Sequence, residues 1–412
     1  MKSKQFAAIS LMLLHAAGSW AQESPYPKWQ FNGYGTLGLV HSNENQADFV
    51  ADIFDPEGAG HSSYLSPEVD SRLGLQLNAE VTSDLSLFGQ IIVEQNYDGS
   101  YKPELEWANI RYDITRHLSA RLGRMVLPTF LVSEYRNVGY ALPWIRPPLE
   151  VYRLLPVSSA DALSLSYRFR TGDFNHSLQA LYGQRNLDVP GADDNQVKAR
   201  DLATLSYMLE RGAFTFLTSY SASELSVDVF DPLFDGFRQF GPAGEKIAAR
   251  FAVDNERSRL LSVGAQYDPG DWFVMGELAS STSRSVLGDN HGMYVTAGYR
   301  IGDVTPYLTL AKVDVDSDSS DPGLPLAGLP PALAGIAREL NAGLNDLLGS
   351  MAAQQSVSAG ARWDFATNFT LKLQLDHMDL EQGSAGFLID RQPGFEAGGS
   401  VLLYSASIDF VF

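Results

Sequence analysis

Apolar and polar residues alternate along most of this chain. Between Ser71 and Val81, every odd position from Leu73 onward is aliphatic, whereas most positions between them are polar. A period of two is typical of a strand with one apolar and one polar face. We predict about sixteen such strands of about ten residues each. They run from Trp29 to His41, Ser71 to Val81, Leu85 to Gln95, Glu104 to Ile114, Leu118 to Met125, Ala162 to Arg170, Asn175 to Arg185, Asp201 to Glu210, Ala213 to Ser221, Ser258 to Asp268, Trp272 to Ser281, His291 to Arg300, Val304 to Val313, Gln355 to Phe365, Phe369 to Met378 and Val401 to Phe412.

The connections between these strands alternate between short and long. Turn-forming residues make up short ones such as Thr82 to Asp84 and Pro269 to Asp271, whereas Ser42 to Asp70 and Asp314 to Gln354 are long. Transmembrane barrels place short turns on the periplasmic side and long loops outside. The sequence therefore predicts an all-β fold, a closed antiparallel transmembrane β-barrel that occupies residues 22–412.

Aromatic residues support this prediction because they collect beside the short turns. Tyr112, Tyr267 and Trp363 come just before short turns, and Trp272 and Phe369 come just after them. Amphipathic rings favour the membrane boundary, so we expect a girdle at this level. The last strand ends at the same level with Phe410 and Phe412. Because edge strands cannot leave their polar groups unpaired in lipid, we expect Phe412 to lie near Trp29 across the barrel seam.

The N-terminus and the composition indicate an exported protein. Lys2 and Lys4 precede an apolar run from Phe6 to Ala17, and Ser19 to Ala21 fits a cleavage site, so residues 1–21 are predicted to be a signal peptide. A membrane-anchoring helix is the weaker alternative, because the run is short. The formal charge of −19 becomes −21 once both lysines are removed, which argues against nucleic acid as a partner. Cysteine is absent, which excludes disulfides and thiolate metal sites.

The chain resembles the Gram-negative outer-membrane porin superfamily. The resemblance rests on the order of degenerate motifs over nearly the whole mature chain, among them "FNGYGTLGLVHS", "SRLGLQLNAEVTSDLSLFGQ", "EWANIRYDITRHLSARLGR", "TPYLTLA" and the terminal "SIDFVF". It implies a place in the cell outer membrane, in contact with its lipid and lipopolysaccharide, and a homotrimer. It also implies that Phe410 and Phe412 are an assembly signal for the barrel assembly machinery.

Charged residues on the polar faces of the early strands are candidates for the pore lining. Five arginines occupy such positions: Arg72, Arg111, Arg121, Arg168 and Arg170. A guanidinium group stays charged and offers planar contacts to anionic groups. An equally weighted alternative is that these arginines hold loops in place by pairing with carboxylates.

The segment 126–161 is the candidate for an inward-folded constriction loop. Pro143, Pro147, Pro148 and Pro156 reduce its flexibility. Its aromatic residues need packing partners, and loops of this length are usually functional or disordered. A surface loop packed on neighbouring subunits is the alternative. The resemblance implies that a basic wall faces this loop across the pore. The candidate constriction residues in the loop are Glu134, Arg136, Arg146, Glu150 and Arg153.

Two other loops carry distinct patterns. Val313 to Asp321 contains four aspartates, but it lacks the glycine and the terminal glutamate of a calcium loop. We therefore predict a solvated acidic loop and no metal site. In Pro330 to Gln354, leucine and isoleucine recur near helical spacing, which predicts a short amphipathic helix in an outer loop.

These observations favour a passive diffusion channel for small hydrophilic solutes or ions. The alternative is a barrel whose loops occlude the lumen and which acts as an adhesin or receptor. No catalytic or phosphate-binding motif is recognisable, and the pair Asp376–His377 is disfavoured as a catalytic pair because His377 is predicted to face lipid. We expect neither an enzyme nor a cofactor.

Overall fold

A computed structural model describes residues 26–190, 195–316 and 320–412. The predicted signal peptide lies outside these residues. Within them, sixteen antiparallel strands form one closed barrel, in which each strand pairs with its neighbours along the chain and β1 pairs with β16. The strands are β1 (Lys28–Ser42), β2 (Arg72–Glu80), β3 (Leu85–Val93), β4 (Glu104–Asp113), β5 (Leu118–Val126), β6 (Ser159–Thr171), β7 (Phe174–Asp188), β8 (Gln196–Arg211), β9 (Phe214–Val227), β10 (Glu256–Tyr267), β11 (Trp272–Thr282), β12 (Asp289–Tyr299), β13 (Val304–Asp316), β14 (Gln354–Ala366), β15 (Phe369–Leu380) and β16 (Ser400–Val411). The predicted fold class is confirmed.

The exterior of the barrel is apolar. Leu37 is 65% exposed, Leu122 is 62% exposed and Leu163 is 52% exposed, although soluble proteins seldom expose a continuous band of such residues. Aromatic side chains are exposed beside the short turns, and Tyr267 and Trp272 contact each other there with ring centroids 5.5 Å apart. This is the pattern of a surface that faces lipid between two polar boundaries.

The barrel closes where β16 pairs with β1. Val411 lies opposite Tyr34, and Phe412 exchanges backbone hydrogen bonds with Gly33 at 2.9 and 3.0 Å. The predicted pairing of the first and last strands is confirmed, and Phe412 pairs with Gly33, four residues along β1 from Trp29. The first strand extends five residues beyond Gly33, from Lys28 to Asn32, and Trp29 pairs with Ala79 of β2.

The seam depends on two glycines. A Cβ atom on Gly33 would lie 2.2 Å from the ring of Phe412, and one on Gly35 would lie 2.4 Å from the ring of Phe410. Because both glycines leave the outer surface of β1 bare, the two rings can lie flat over it. The rings of Phe410 and Phe412 stack with their centroids 6.2 Å apart.

The long loops carry the remaining elements. They are the helices α1 (Leu149–Tyr152), α2 (Asp231–Arg238), α3 (Pro242–Phe251) and α4 (Pro331–Gly349), the 3₁₀ turns Ser133–Tyr135, Gly139–Ala141 and Asp228–Phe230, and a small sheet of Asp48–Phe49, Ala59–Gly60 and Leu388–Ile389. None of the helices in the described ranges combines the length and apolarity that a membrane crossing requires.

The helix predicted between Pro330 and Gln354 is present as α4. Its Leu344 and Leu348 are buried, whereas Leu333 and Ile336 remain exposed. The buried face packs against α2, where a Cβ atom on Gly236 would lie 2.7 Å from Leu340. The amphipathic pattern therefore reflects packing between two outer loops.

The acidic segment from Val313 to Asp321 is not a single loop. Asp314 and Asp316 belong to β13, Asp314 pairs with Lys312 at 2.7 Å, and Asp321 pairs with Arg250 at 3.0 Å. Residues 317–319, including Asp318, lie outside the described residues. No group of three or more His, Asp or Glu side chains in the described ranges is arranged to hold a metal ion.

Candidate functional site: a charged lane beside the β5–β6 loop

The β5–β6 loop, residues 127–158, packs inside the barrel against one half of its wall. The Trp144 indole N–H donates to the hydroxyls of Thr296 and Thr309, each at 3.0 Å. Further along the loop, the Thr129 carbonyl accepts hydrogen bonds from Ser219 and Ser262. These contacts join the loop to the inner faces of β9, β10, β12 and β13.

Buried charges strengthen this attachment. Arg146 binds Asp70 through two hydrogen bonds of 2.9 and 2.5 Å and Asp376 through a third of 3.2 Å. Lys372 of β15 donates to the carbonyls of Gly139 and Trp144, each at 2.6 Å, and lies 3.1 Å from Asp409. Since ionic groups are costly to bury unless they are paired, these contacts need both partners in place.

Glu277 of β11 is a third polar anchor. Its carboxylate accepts hydrogen bonds from the Leu131 backbone N–H at 2.8 Å, the Tyr152 hydroxyl at 2.5 Å and the Tyr294 hydroxyl at 2.8 Å. The side chain is 2% exposed. Two of its three partners belong to the β5–β6 loop, so this wall residue holds the loop at two points.

Wall glycines let the loop backbone approach closely. A Cβ atom on Gly292 would lie 2.1 Å from the carbonyl oxygen of Glu150, and one on Gly264 would lie 2.8 Å from Leu131. Atoms essentially never approach so closely without a shift of the structure. The loop therefore lies in a depression of the barrel wall, which exists because these two glycines have no side chains.

On its other side the loop faces a charged wall. Arg111 of β4 lies opposite Arg121 of β5 in register, and Arg168 of β6 follows. Arg111 pairs with Asp113 at 2.7 Å, and Arg121 lies over the ring of Phe88 at 5.4 Å. Within the described residues, the guanidinium groups of Arg121 and Arg168 have no hydrogen-bond or ion-pair partner.

The loop presents opposite and like charges to this wall. Glu134 is exposed on the 3₁₀ turn Ser133–Tyr135, and its carboxylate acts electrostatically on Arg121 and Arg168. We call the region between the loop and this wall the polar lane. Its lining residues are Arg72, Arg111, Arg121 and Arg168 on the strands and Glu134 and Arg136 on the loop.

Two further contacts border the polar lane. Arg136 acts electrostatically on Glu106 of β4. Arg72 of β2 donates to the Asn137 side chain at 3.1 Å and lies 3.5 Å from Glu94. Carboxylate and guanidinium groups therefore occur on both sides of the lane. All of its lining residues keep part of their surface exposed, unlike the anchors behind the loop.

Four of the predicted pore residues lie elsewhere. Arg146 is an anchor that pairs with Asp70 and Asp376. Glu150 is buried and accepts hydrogen bonds from Gln354 at 2.9 Å and Ser356 at 2.7 Å.

The other two have backbone partners. Arg153 donates to the carbonyls of Val50 and Phe387, each at 3.3 Å, and Arg170 donates to Gly172 in a short turn. These positions differ from the prediction for two reasons. The period of a strand does not show which partner a loop residue contacts, and it does not show how far along the barrel axis a strand residue lies.

Sequence reasoning missed the wall residues that hold the loop. Glu277 and Lys372 are single charges in otherwise apolar or alternating stretches, "VMGELAS" and "TLKLQL", and the only sequence signal for them was that both positions face inward. The pair Asp376–His377 is divided by the strand: Asp376 binds Arg146 inside, whereas His377 is exposed on the outer face.

This arrangement is a sixteen-stranded barrel that holds one long loop against the inside of its wall, which is the fold of the outer-membrane porins. No protein-family model and no curated protein matches the chain. Solved structures do match it. OmpF of Salmonella typhi, in a complex with daunomycin, superposes with a TM-score of 0.55 at 14% identity, over 94% of this chain and 98% of that one.

Two further structures are similar. The anion-selective porin of Comamonas acidovorans has a TM-score of 0.54 at 13% identity, over 94% of this chain and 100% of its own. OmpT, an outer-membrane protein of Vibrio cholerae, in its trimer form, has a TM-score of 0.51 at 12% identity, over 94% of this chain and 100% of its own. At such low identity the likeness extends to the fold.

Proposed function

We propose that this protein is a passive diffusion channel of the cell outer membrane that admits small hydrophilic solutes or ions. The observation that carries the proposal is the polar lane. Within the described part of the chain, Arg121 and Arg168 have no hydrogen-bond or ion-pair partner, and they face Glu134, which is exposed. Charges on opposite sides of a narrow aqueous path favour polar solutes and set ion selectivity.

The exterior supports the location. Aliphatic residues cover the outer face and aromatic residues gather at the short turns, as in barrels that span an outer membrane. The similar structures are a porin and two other barrels of this fold, one of them in a trimer form. We therefore propose a homotrimer in contact with lipid and lipopolysaccharide.

We propose a channel rather than an enzyme. Each inward-facing charged group named above as an anchor of the β5–β6 loop or as a lining residue of the polar lane has a part in building or lining a path. The histidine that follows Asp376 lies on the outer face of β15, away from that path.

Planar bilayers test the channel directly. We expect stable conductance steps from the purified barrel, and a reversal potential in a salt gradient that changes with the charge of the polar lane. Arg121→Ala removes a positive charge and shifts selectivity toward cations, whereas Glu134→Ala shifts it toward anions.

Arg116→Ala is the control, because Arg116 lies in an exposed turn outside the lane. Unchanged selectivity in both lane variants would remove these residues from the pore. A barrel that never conducts would favour the receptor role.

We also propose that Phe410 and Phe412 are read during assembly. Removing Phe412 is expected to reduce insertion in cells, while the inserted fraction conducts normally. Protein level in the outer membrane and single-channel conductance measure the two effects separately. Wild-type insertion of the shortened chain would contradict the assembly role.

A further inference from the structure

An apolar cavity of about 390 Å³ lies inside the barrel, apart from the polar lane. It is bounded by the end of the β5–β6 loop, by residues 53–56 of the loop between β1 and β2, by Val189 and Pro190 just after β7, and by the inner faces of β8 to β11 toward the long loops. A volume of this size is at the small end of the range for ligand sites in proteins.

The lining is mostly aliphatic. Its side chains come from three separate segments and include Leu127, Val157, Val197, Leu202, Leu225 and Val227. Five of these six are buried in one hydrophobic cluster, against which Leu225 packs. The lumen of a diffusion barrel is usually polar and filled with water. Water gains little in an apolar cavity of this kind, whereas an apolar molecule gains by leaving water.

One wall of the cavity carries hydroxyl groups. Ser223 of β9 lies directly opposite Ser258 of β10, and Ser281 of β11 lies opposite Leu260. Within the described residues, the hydroxyls of these three serines have no hydrogen-bond partner. They are therefore available to a ligand that carries a donor or acceptor along this side.

The acidic group at the edge of the cavity does not make it ionic. Burial, and then the charge of Asp52, raise the pKa of Asp55 to about 8. Its carboxyl group is thus mostly uncharged at neutral pH. Arg259 of β10 also borders the cavity, but it is exposed and shares the outward phase of Leu261. Neither the aliphatic surface nor the serine row offers a charge to a ligand, so an ionic solute would lose its hydration without compensation.

We infer that this cavity binds a small amphipathic solute that has an aliphatic or alicyclic body and one uncharged hydrogen-bonding oxygen. The body contacts the aliphatic lining, and the oxygen meets the row of Ser223, Ser258 and Ser281. The inference deepens the proposed channel function, from which it takes the idea that the ligand is a permeating solute. It assigns to the barrel a class of solute that differs from the hydrophilic solutes and ions proposed for the polar lane.

Photoaffinity labelling tests the site without relying on transport. The full chain in lipid nanodiscs is irradiated with a small aliphatic alcohol that carries a diazirine, and labelled peptides are identified by mass spectrometry. We expect labels on the cavity-lining segments, and loss of these labels with excess cyclohexanol but not with myo-inositol, a polar ring of similar size. Labels confined to lipid-facing residues, or equal competition by both compounds, would overturn the inference.

Matched variants locate the label. Ala199 lines the cavity and is buried, whereas Ala203 on the same strand faces outward and is exposed. Ala199→Phe fills the cavity and should lower the labelling by roughly tenfold or more, since one methylene in an apolar pocket already changes binding by about that factor. Ala203→Phe should leave it unchanged. Equal labelling in the two variants would refute the site.

Two measurements keep the result interpretable. Leu225→Asn keeps the size of a lining side chain but makes it polar, and should also reduce labelling if Ala199→Phe does not fold. Ion conductance is recorded on the same preparations. A barrel that conducts but carries no label in the cavity overturns this inference and leaves the channel function intact. A labelled barrel that never conducts refutes the channel and retains the cavity site.

Discussion

Arg146 joins three distant parts of the chain inside the barrel. It binds Asp70 just before β2, Asp376 on β15 and the Ser405 hydroxyl on β16, and both carboxylates are almost fully buried. A buried ion pair contributes little net stability, but removing one partner leaves an uncompensated charge. Arg146 thus fixes the position of the β5–β6 loop more than it stabilises the fold as a whole.

We expect Arg146→Met to destabilise the barrel by about 3–5 kcal/mol, because it strands two buried carboxylates. Urea unfolding in lipid vesicles, followed by tryptophan fluorescence, measures this change. Arg391→Met is the control: Arg391 pairs with Asp346, which is 72% exposed, so its loss should cost less than about 1 kcal/mol. Similar losses in both variants would show that Arg146 is not an anchor.

At the scale of elements, the seam between β1 and β16 is tightly packed. Phe410 and Phe412 fit only where Gly33 and Gly35 leave the surface of β1 bare. The two glycines therefore stabilise the folded seam by leaving free the space that a side chain would take from the rings.

Gly33→Val should weaken the seam by about 1–3 kcal/mol, the usual cost of overpacking. Gly89→Val on β3 is the control, because a Cβ atom there meets nothing within 4 Å. The folded fraction after refolding into vesicles is read from heat-modifiable gel mobility. Adding Phe412→Ala to Gly33→Val should recover part of the loss, and no recovery would contradict the proposed clash.

The strands were predictable because lipid on one side and polar groups on the other impose a period of two. The ends of the strands were less predictable. β7 continues to Asp188 and β9 continues to Val227, beyond the predicted ends at Arg185 and Ser221. Outward positions there, such as Asn186 and Asp188, are polar, so the apolar signal that defines a strand in lipid is lost.

The candidate site was only partly predictable for another reason. The pattern put the strand arginines on the polar face, but it could not divide Glu134 and Arg136 from Arg146, Glu150 and Arg153. That division depends on partners such as Asp70 and Asp376, which are distant in sequence and meet the loop only in the closed barrel.

At the scale of the whole molecule, the lumen has two unlike halves. Behind the β5–β6 loop, Lys372, Asp409 and Thr296 are fully buried, whereas Glu134 is exposed in front of it. A loop held by buried ion pairs and hydrogen bonds along its length is a fixed partition.

Thiol labelling tests this division, since the chain contains no cysteine. Glu134→Cys should react within minutes with a charged methanethiosulfonate and change the conductance. Thr309→Cys, which is only 2% exposed behind the loop, should stay unreacted until urea unfolds the barrel. Rapid labelling at both positions would mean that the loop leaves the wall.

The opposed charges of the polar lane have a consequence for how a solute travels. In the channel proposed above, Glu134 on one side and Arg121 and Arg168 on the other would give the field a component across the lane. A dipolar solute in that field orients its long axis across the lane, with its negative end toward the arginines. It therefore loses rotational freedom while it passes. Two solutes of equal size and equal net charge would then differ in permeation according to how far apart each carries its own charges.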